Sequence, residues 1–406
     1  WANFVQRYPE PVAPAIEARQ KLADFAALSH DAAGRQRWLE AIVAADATAG
    51  SGRTDRTRYL AAWASLELAT PARDAFYAIQ LTAPLKKSLA AKKSAMETAV
   101  KAYTSTAEYA VAEVTTAATF ELAELYRRLG KDILESERPA GLDADALEQY
   151  VTLLEEQTYP FEEKAIEVHA INAARTGSGV YDEWVRKSFA ALAGLMPARY
   201  GKTEIISDYI VSIVPEVAVA PEPVPATTAG TAAVPAPPPV DPLIQVLLQT
   251  AGNFVAEEKL DDAAAIWTDL GARAPLLAAP AYNLGLLAMR RGQWRQALDQ
   301  LEAARARAGR DAGVQDAFGI TYRNLGRFRD AEAAYRASLE AEPDRAASHR
   351  NIGVLLDLYL QQPAEALPHF ERYMALTGAA DKQVSGWIAE LKQRVAPAAQ
   401  TAGVLP

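Results

Sequence analysis

Few residues of this sequence are spaced to do chemistry. Its four histidines, His30, His169, His349 and His369, include no pair four residues apart, and none has a glutamate three residues before it. The two-histidine zinc helix and the glutamate–histidine di-iron helix are therefore excluded. His169 has Glu162, Glu163 and Glu167 nearby and reads as a helix-surface histidine among solvated acids rather than as a metal ligand. Gly201-Lys202-Thr203 ends like a phosphate-binding loop. Met196 stands five residues before Gly201 where that loop needs a glycine, and a helix precedes it where the loop needs a strand. Gly177-Ser178-Gly179 reads as a cap and turn between two helices. Lys86, Lys87, Lys92 and Lys93 crowd two turns of one helix; they could hold an acidic partner or a phosphate, but read as a solvated face. No cysteine is present, which excludes disulfides, thiol catalysis and cysteine-ligated metals. The many carboxylates fall on the polar faces of amphipathic helices. No catalytic residue, cofactor or metal site is expected.

The elements around these residues are helical. At 406 residues the chain has room for two or three domains, and its abundant alanine favours helices over sheets. A net charge of −9 argues against sequence-independent nucleic-acid binding. No apolar run is long enough to cross a bilayer as a helix, so no transmembrane segment is expected. The chain begins at Trp1 rather than Met, which reads as a mature product or an excised piece.

Between Ile244 and Leu376 one pattern returns. Ala263, Ala297 and Ala331 are evenly spaced, and Trp267, Leu301 and Tyr335 follow each by four. Gly285, Gly319 and Gly353 keep the same interval, Gly292 and Gly326 stand at bends, and Pro275 and Pro343 close units. A period of this length marks a solenoid of helical hairpins. Small residues belong where two helices cross closely, and a larger side chain would force them apart. The stretch "ITYRNLGRFRDAEAAYRASLEAEPD", Ile320 to Asp344, resembles the tetratricopeptide repeat (TPR) family. Two units depart from its pattern. The first has Ala251 in the glycine slot. The fourth has Ala366 and Phe370 one residue late, which places an insertion at the bend Gln361-Gln362-Pro363. Lys382 to Val395 reads as the solvating end helix that an open stack needs.

The resemblance implies a concave groove lined by the first helices of successive units, receiving a peptide or a partner's helix. It maps the groove onto Leu248, Gly252 and Val255, then Tyr282, Asn283, Leu286, Met289 and Arg290, then Asp316, Ile320, Arg323 and Asn324, and finally Arg350, Asn351, Val354 and Asp357. Tyr282, Arg323 and Arg350 are expected to be exposed; Leu286 and Ile320 divide between groove floor and packing against the next unit. Such a groove would hold an extended apolar peptide by burial and fix its backbone by amide and guanidinium hydrogen bonds.

The first half reads as a series of less regular amphipathic helices. Ile16, Leu22 and Phe25 mark one; Trp38, Leu39 and Ile42 another; Tyr59, Leu60, Trp63 and Leu66 a third, begun after Arg53. Two long helices follow from Pro84 to Gly130. Asp143 caps the next, Pro160 starts another, and Trp184, Phe189, Leu192 and Leu195 belong inside a last one. Beyond Met196 the pattern fades into an apolar segment, Ile205, Ile206, Ile210, Val211, Ile213 and Val214, of undecided state. "ESERP", "LLEEQTYPFEEKAIEVHAINAARTG" and "VYDEWVRKSFAALAGLMPARYGK" resemble large TPR proteins of the bacterial envelope, including proteins of adventurous gliding motility and partners of TonB/ExbB/ExbD-type systems.

Pro215 to Pro242 is proline, alanine and valine with almost no large side chains, so it reads as an extended, semi-stiff tether. The expected architecture is all-α: helical-hairpin repeats in two domains, 1–214 and 243–396, joined by a linker at 215–242 and ending in a tail at 397–406. The expected function is a non-enzymatic protein–protein interaction scaffold of the bacterial envelope, periplasmic or outer-membrane-associated, in a motility or energy-transducing machinery. Its partners are envelope proteins, a peptide or helix in the groove, and its own linker through 217–239. The rivals are an assembly chaperone for secreted or outer-membrane subunits and an enzyme with its site in the first domain.

Overall fold

The computed structural model describes residues 1–212 and 241–401, and no strand occurs among them. The chain divides into two compact units, Trp1–Lys202 and Thr203–Pro406. Residues 203–212, which the sequence assigns to the first domain, therefore fold with the second. Most of the tether at 215–242, including 217–239, lies outside the described residues.

The first unit runs through α1 (Ala2–Arg7), α2 (Val12–Leu28), α3 (Ala32–Thr48), α4 (Asp55–Ala78), α5 (Leu85–Ala107), α6 (Ala112–Leu134), α7 (Ala144–Ala174), α8 (Glu183–Leu195) and the single turn α9 (Pro197–Tyr200). Consecutive helices pack on one another. One apolar cluster gathers Ile16, Leu39, Ile42 and Leu60; another gathers Phe76, Met96, Tyr103, Leu125, Leu129 and Leu154. Local chemistry starts the helices where the sequence says. Thr54 and Thr57 form a reciprocal cap at α4, and Asp143 accepts from the Ala146 N–H at α7.

Three expectations fail here. Helix α6 does not end at Gly130 but runs through it to Leu134. Phe25 is 69% exposed, because alanines 15, 18, 23 and 26 of α2 face inward in its stead. Pro160 does not start a helix; it lies inside the 31-residue α7. Leu154 and Thr158 before it and Ala165 and Val168 after it are all buried, and a Cβ on Gly130 of α6 would lie 3.7 Å from Phe161. Continuous packing against α6 outweighs the backbone hydrogen bond that proline removes.

The second unit contains α10 (Pro242–Ala256), α11 (Leu260–Arg273), α12 (Ala279–Arg290), α13 (Trp294–Ala308), α14 (Ala312–Asn324), α15 (Phe328–Ala341), α16 (Ala346–Val354), α17 (Pro363–Leu376) and α18 (Lys382–Thr401). These are four helical hairpins of the TPR type and an end helix. The periodic residues sit where their types require: Ala263, Ala297, Ala331 and Ala366 are fully buried, as are Trp267, Leu301, Tyr335 and Phe370. Gly292 and Gly326 take positive φ at their bends, and Glu258 and Gln361 hold the same conformation in the first and fourth units. The inserted residue of the fourth unit is not absorbed at Gln361-Gln362-Pro363. A π-helical turn, Leu355–Tyr359, takes it up at the end of α16, with Leu360 N–H donating to Leu355 O at 3.0 Å. Along α18, Val384, Trp387 and Leu391 are buried on one face.

Candidate functional site

The first helices of the second unit do line a groove, and a segment of the same unit lies in it. Residues 203–212 form no helix and cross all four hairpins, from Arg350 of the fourth to Gly252 of the first. Two asparagines hold the backbone. Asn351 accepts from the Ile205 N–H at 2.7 Å and donates to the Ile205 carbonyl at 2.9 Å. Asn283 makes the same pair with Ile210, both at 2.8 Å. In an extended chain the N–H and C=O of one residue point the same way, so a single carboxamide satisfies both. The two positions are two repeat periods apart. Five residues of extended chain span about 17 Å, and two steps at helix-packing distances of roughly 8–10 Å match that.

Side chains add specificity. Glu204 is almost wholly buried; its carboxylate accepts from the Tyr335 hydroxyl at 2.5 Å and pairs with the Arg323 guanidinium, whose Nε lies at 2.9 Å. Arg350 donates to the Thr203 carbonyl at 3.0 Å and is itself held by Asp381 and the Trp387 ring. Arg345 donates to Ser207 Oγ at 2.9 Å. Tyr209 stacks on Trp267 with centroids 5.1 Å apart. Val211 meets Gly252 so closely that an added Cβ would lie 2.5 Å from it, so the glycine makes room for the segment.

The groove residues named from the sequence divide accordingly. Asn283, Arg323, Arg350 and Asn351 contact the segment; Tyr282 lies beside Ser207, and Arg290 beside Tyr209. Val255 is half-buried in the cluster that includes Tyr209 and Ile210. Asn324 steadies Arg323, accepting from it at 2.9 Å. Leu248, Leu286, Met289, Ile320 and Val354 are buried. Asp357 turns to the end helix, where Arg394 donates to it at 2.5 Å. The expected exposure of Tyr282, Arg323 and Arg350 is not found: Tyr282 and Arg350 are buried and Arg323 is half-buried, because residues 203–211 lie over them. Trp267, Tyr335 and Arg345 were missed, since in the repeat pattern the first two only fill seams. A signal existed: 203–211 is one of the few stretches rich in β-branched residues in a helical, alanine-rich chain.

Asp316 lies fully buried beneath this contact. Its Oδ2 accepts from Asn351 Nδ2 at 3.2 Å, which sets the orientation of the clamping amide, and its Oδ1 has no hydrogen-bond partner among the described residues. Burial pushes its carboxyl up to about 7 from an ordinary 3.8. The folded state therefore holds a proton that the unfolded chain has released by pH 5. The stabilisation present below pH 4 is lost as pH rises toward 7, by up to about 4 kcal/mol. In denaturant titrations at pH 5 and pH 8, Asp316→Asn is expected to flatten this decline and to be more stable than the parent at pH 8. A difference between parent and variant that does not change with pH would contradict the assignment.

The first unit brings together a second polar cluster. His169, expected on a helix surface, is fully buried: its Nδ1 lies 3.3 Å from Ser188 Oγ and its Nε2 3.3 Å from Glu124. Burial raises the Glu124 carboxyl, but His169 and Arg127 outweigh it and hold the group at about 2. The order serine–histidine–carboxylate suggests acyl transfer, but Ser188 is fully buried inside α8 and accepts from Asn172 Nδ2 at 3.0 Å. A cavity of about 540 Å³ beside it is lined by Phe120, Glu124, Arg127 and Lys187, with neither His169 nor Ser188 in its wall. The cluster ties α6, α7 and α8 together. In the lysine group, Lys86, Lys87 and Lys93 are exposed as expected, but Lys92 is fully buried and pairs with Asp132. His349 and His369 approach across α16 and α17 with Nδ1 atoms 3.0 Å apart, and burial lowers His369 to about 4. Among the described residues no group of three potential metal ligands forms.

Fold and groove together define a helical-hairpin repeat protein with an extended polypeptide seated across its repeats. No family model matches the chain, and no curated protein does. Among solved structures, it is similar to one titled MamA AMB-1, with 24% identity over 35% of this chain and 77% of that chain and a TM-score of 0.29. It is also similar to a chain of the APC/C hetero-tetramer Cut9-Hcn1, with 14% identity over 94% of this chain and 86% of that chain and a TM-score of 0.35.

Proposed function

We propose that this chain is a non-enzymatic protein–protein interaction scaffold whose second unit grips extended polypeptide. The observation that carries this is the pair Asn283 and Asn351, each satisfying both backbone groups of one residue of a bound segment. Side-chain amides aimed at a peptide backbone bind an extended chain of many sequences, and the seat for Glu204 between Arg323 and Tyr335 selects among them. That seat favours a defined partner over the broad, transient binding of an assembly chaperone. The setting we propose is the bacterial envelope, periplasmic or outer-membrane-associated, in a motility or TonB/ExbB/ExbD-like machinery. It is supported by the resemblance of the segments between Leu85 and Lys202. No described helix is long and apolar enough to cross a membrane.

Capture of envelope proteins on the intact chain, followed by a salt challenge, tests the reading. A defined partner set is expected to survive the wash and, in a chain whose own segment is loosened by Glu204→Ala, to fall at least tenfold when Asn283→Ala/Asn351→Ala is added, which removes four hydrogen bonds of about 1 kcal/mol each. A partner set unchanged by the double substitution would remove the groove from the function.

A further inference from the structure

Within the reading of the groove as a polypeptide-binding site, residues 203–212 occupy the place of a ligand. Several features mark them as an occupant that can leave. Their hold is made by side chains on backbone and by a few seats, and they join no helix of the repeats. Ile206 is 42% exposed, and Thr203, Asp208 and Ser212 are exposed as well. Val211 already touches Gly252 of α10, yet the whole stretch 213–240 separates the described end of the segment from Asp241.

We propose that residues 203–212 are an internal pseudo-ligand, and that the groove's external partner is an extended peptide of the same chemistry which binds by displacing them. The seats define that chemistry. A carboxylate side chain enters between Arg323 and Tyr335. Three residues on, a small hydroxyl meets Arg345 and Tyr282, and five residues on, an aromatic ring lies against Trp267. Arg345 and Arg350 already pair with Glu342 and Asp381, so the charge the groove asks of a peptide is the one carboxylate at Arg323. Because the occupant is part of the chain, it competes at the high effective concentration of a tethered group. The apparent affinity for an outside peptide is therefore reduced by the fraction of chains whose groove is open. Peptides lacking the carboxylate fail to compete, and the groove stays closed to them.

The test uses the intact chain and a fluorescent synthetic peptide with the sequence of 203–212, read by anisotropy. Two variants loosen the segment from opposite ends: Glu204→Ala removes the contacts to Arg323 and Tyr335, and Val211→Asp disrupts the contact at Gly252. Both lie outside every helix, so the helical circular dichroism should match the parent's. Each variant is expected to bind the peptide at least tenfold more tightly than the parent. Adding Asn351→Ala to either should abolish the gain, and a peptide with glutamine in place of its glutamate should lose at least tenfold. Equal affinity in parent and variants would overturn the proposal, making the segment a fixed strap. So would loss of helical signal in both variants, which would make it part of the core. Dimers forming with concentration in the loosened chains would overturn it too, since a second copy would then be the occupant. A loosened chain that ignores the peptide but still captures the envelope set overturns this proposal alone. One that captures neither overturns the interaction reading beneath it.

Discussion

Lys92→Met is expected to destabilise the first unit by about 4 kcal/mol, the scale of breaking a buried ion pair. Lys92 is fully buried in α5, and its ammonium donates to the carbonyls of Phe76 at 3.0 Å and Ile79 at 2.6 Å. These belong to the C-terminal end of α4, whose last carbonyls have no partner within the helix. The same ammonium lies 2.6 Å from Asp132 of α6 and 4.5 Å from the centre of the Phe76 ring. One nitrogen thus caps α4 and joins α4, α5 and α6. Methionine fills the same space but leaves the Ile79 carbonyl without its ammonium donor and the Phe76 carbonyl with only the Ile79 N–H at 3.3 Å, and Asp132 keeps only Arg128 at 2.7 Å. For a unit of this size a loss of about 4 kcal/mol lowers the melting temperature by roughly 10 °C. Hydrogen exchange on the intact chain should show the loss in α4 to α6. Pairing the change with Asp132→Asn should cost less than the sum of the two, since the lost interactions are shared. A melting temperature within a degree or two of the parent's would show that Lys92 carries no such role.

Gly319→Ala is expected to cost about 3 kcal/mol, at the upper end of overpacking effects. A Cβ on Gly319 would lie 2.2 Å from Cε1 of Tyr335 and 2.5 Å from its Cδ1, and that ring is completely buried. The ring has nowhere to go, so α14 and α15 must part. The damage reaches the groove, because Tyr335 donates its hydroxyl to Glu204. Faster hydrogen exchange across 203–212 should therefore accompany the loss of stability. Gly285, one period earlier, is the control: there an added Cβ meets the flexible end of Leu301 at 3.0 Å. Gly285→Ala should cost about 1 kcal/mol, as methylene-scale crowding relieved by a rotamer shift does. Equal losses at the two positions would mean that the aromatic ring behind Gly319 is not what sets the cost.

The hairpins of the second unit were legible in the sequence because their determinants are local and repeat. An alanine and a large residue four places on recur once per unit, with a close-packing glycine in the last three and Ala251 in its place in the first, and small residues are needed wherever two adjacent helices cross closely. Helix caps at Thr54, Asp143 and Asp311 are local in the same way. The family resemblance, laid on that register, named groove positions that do meet the segment, including Asn283 and Asn351. The occupant did not. Residues 203–212 carry no helical period, and their partners stand 73 residues away at Asn283 and 146 at Asn351, a pairing that only the folded repeats create. Trp267 and Tyr335 have a seam role legible from spacing and a second role that depends on what crosses above them.

What the sequence alone determined is the order of helices, the repeat register and the residue types along the groove, because i to i+4 spacing and turn residues act within a few positions. Only the tertiary structure decided which polar groups go inside. Lys92 and His169 read as surface residues on their own helices, and each is buried because other helices bring Asp132, the α4 carbonyls, Glu124 and Ser188 to it. It also decided that α7 runs through Pro160 and that residues 203–212 cover the groove. A buried polar group or an extended segment is stable only with its partners in place, and those partners come from distant parts of the chain.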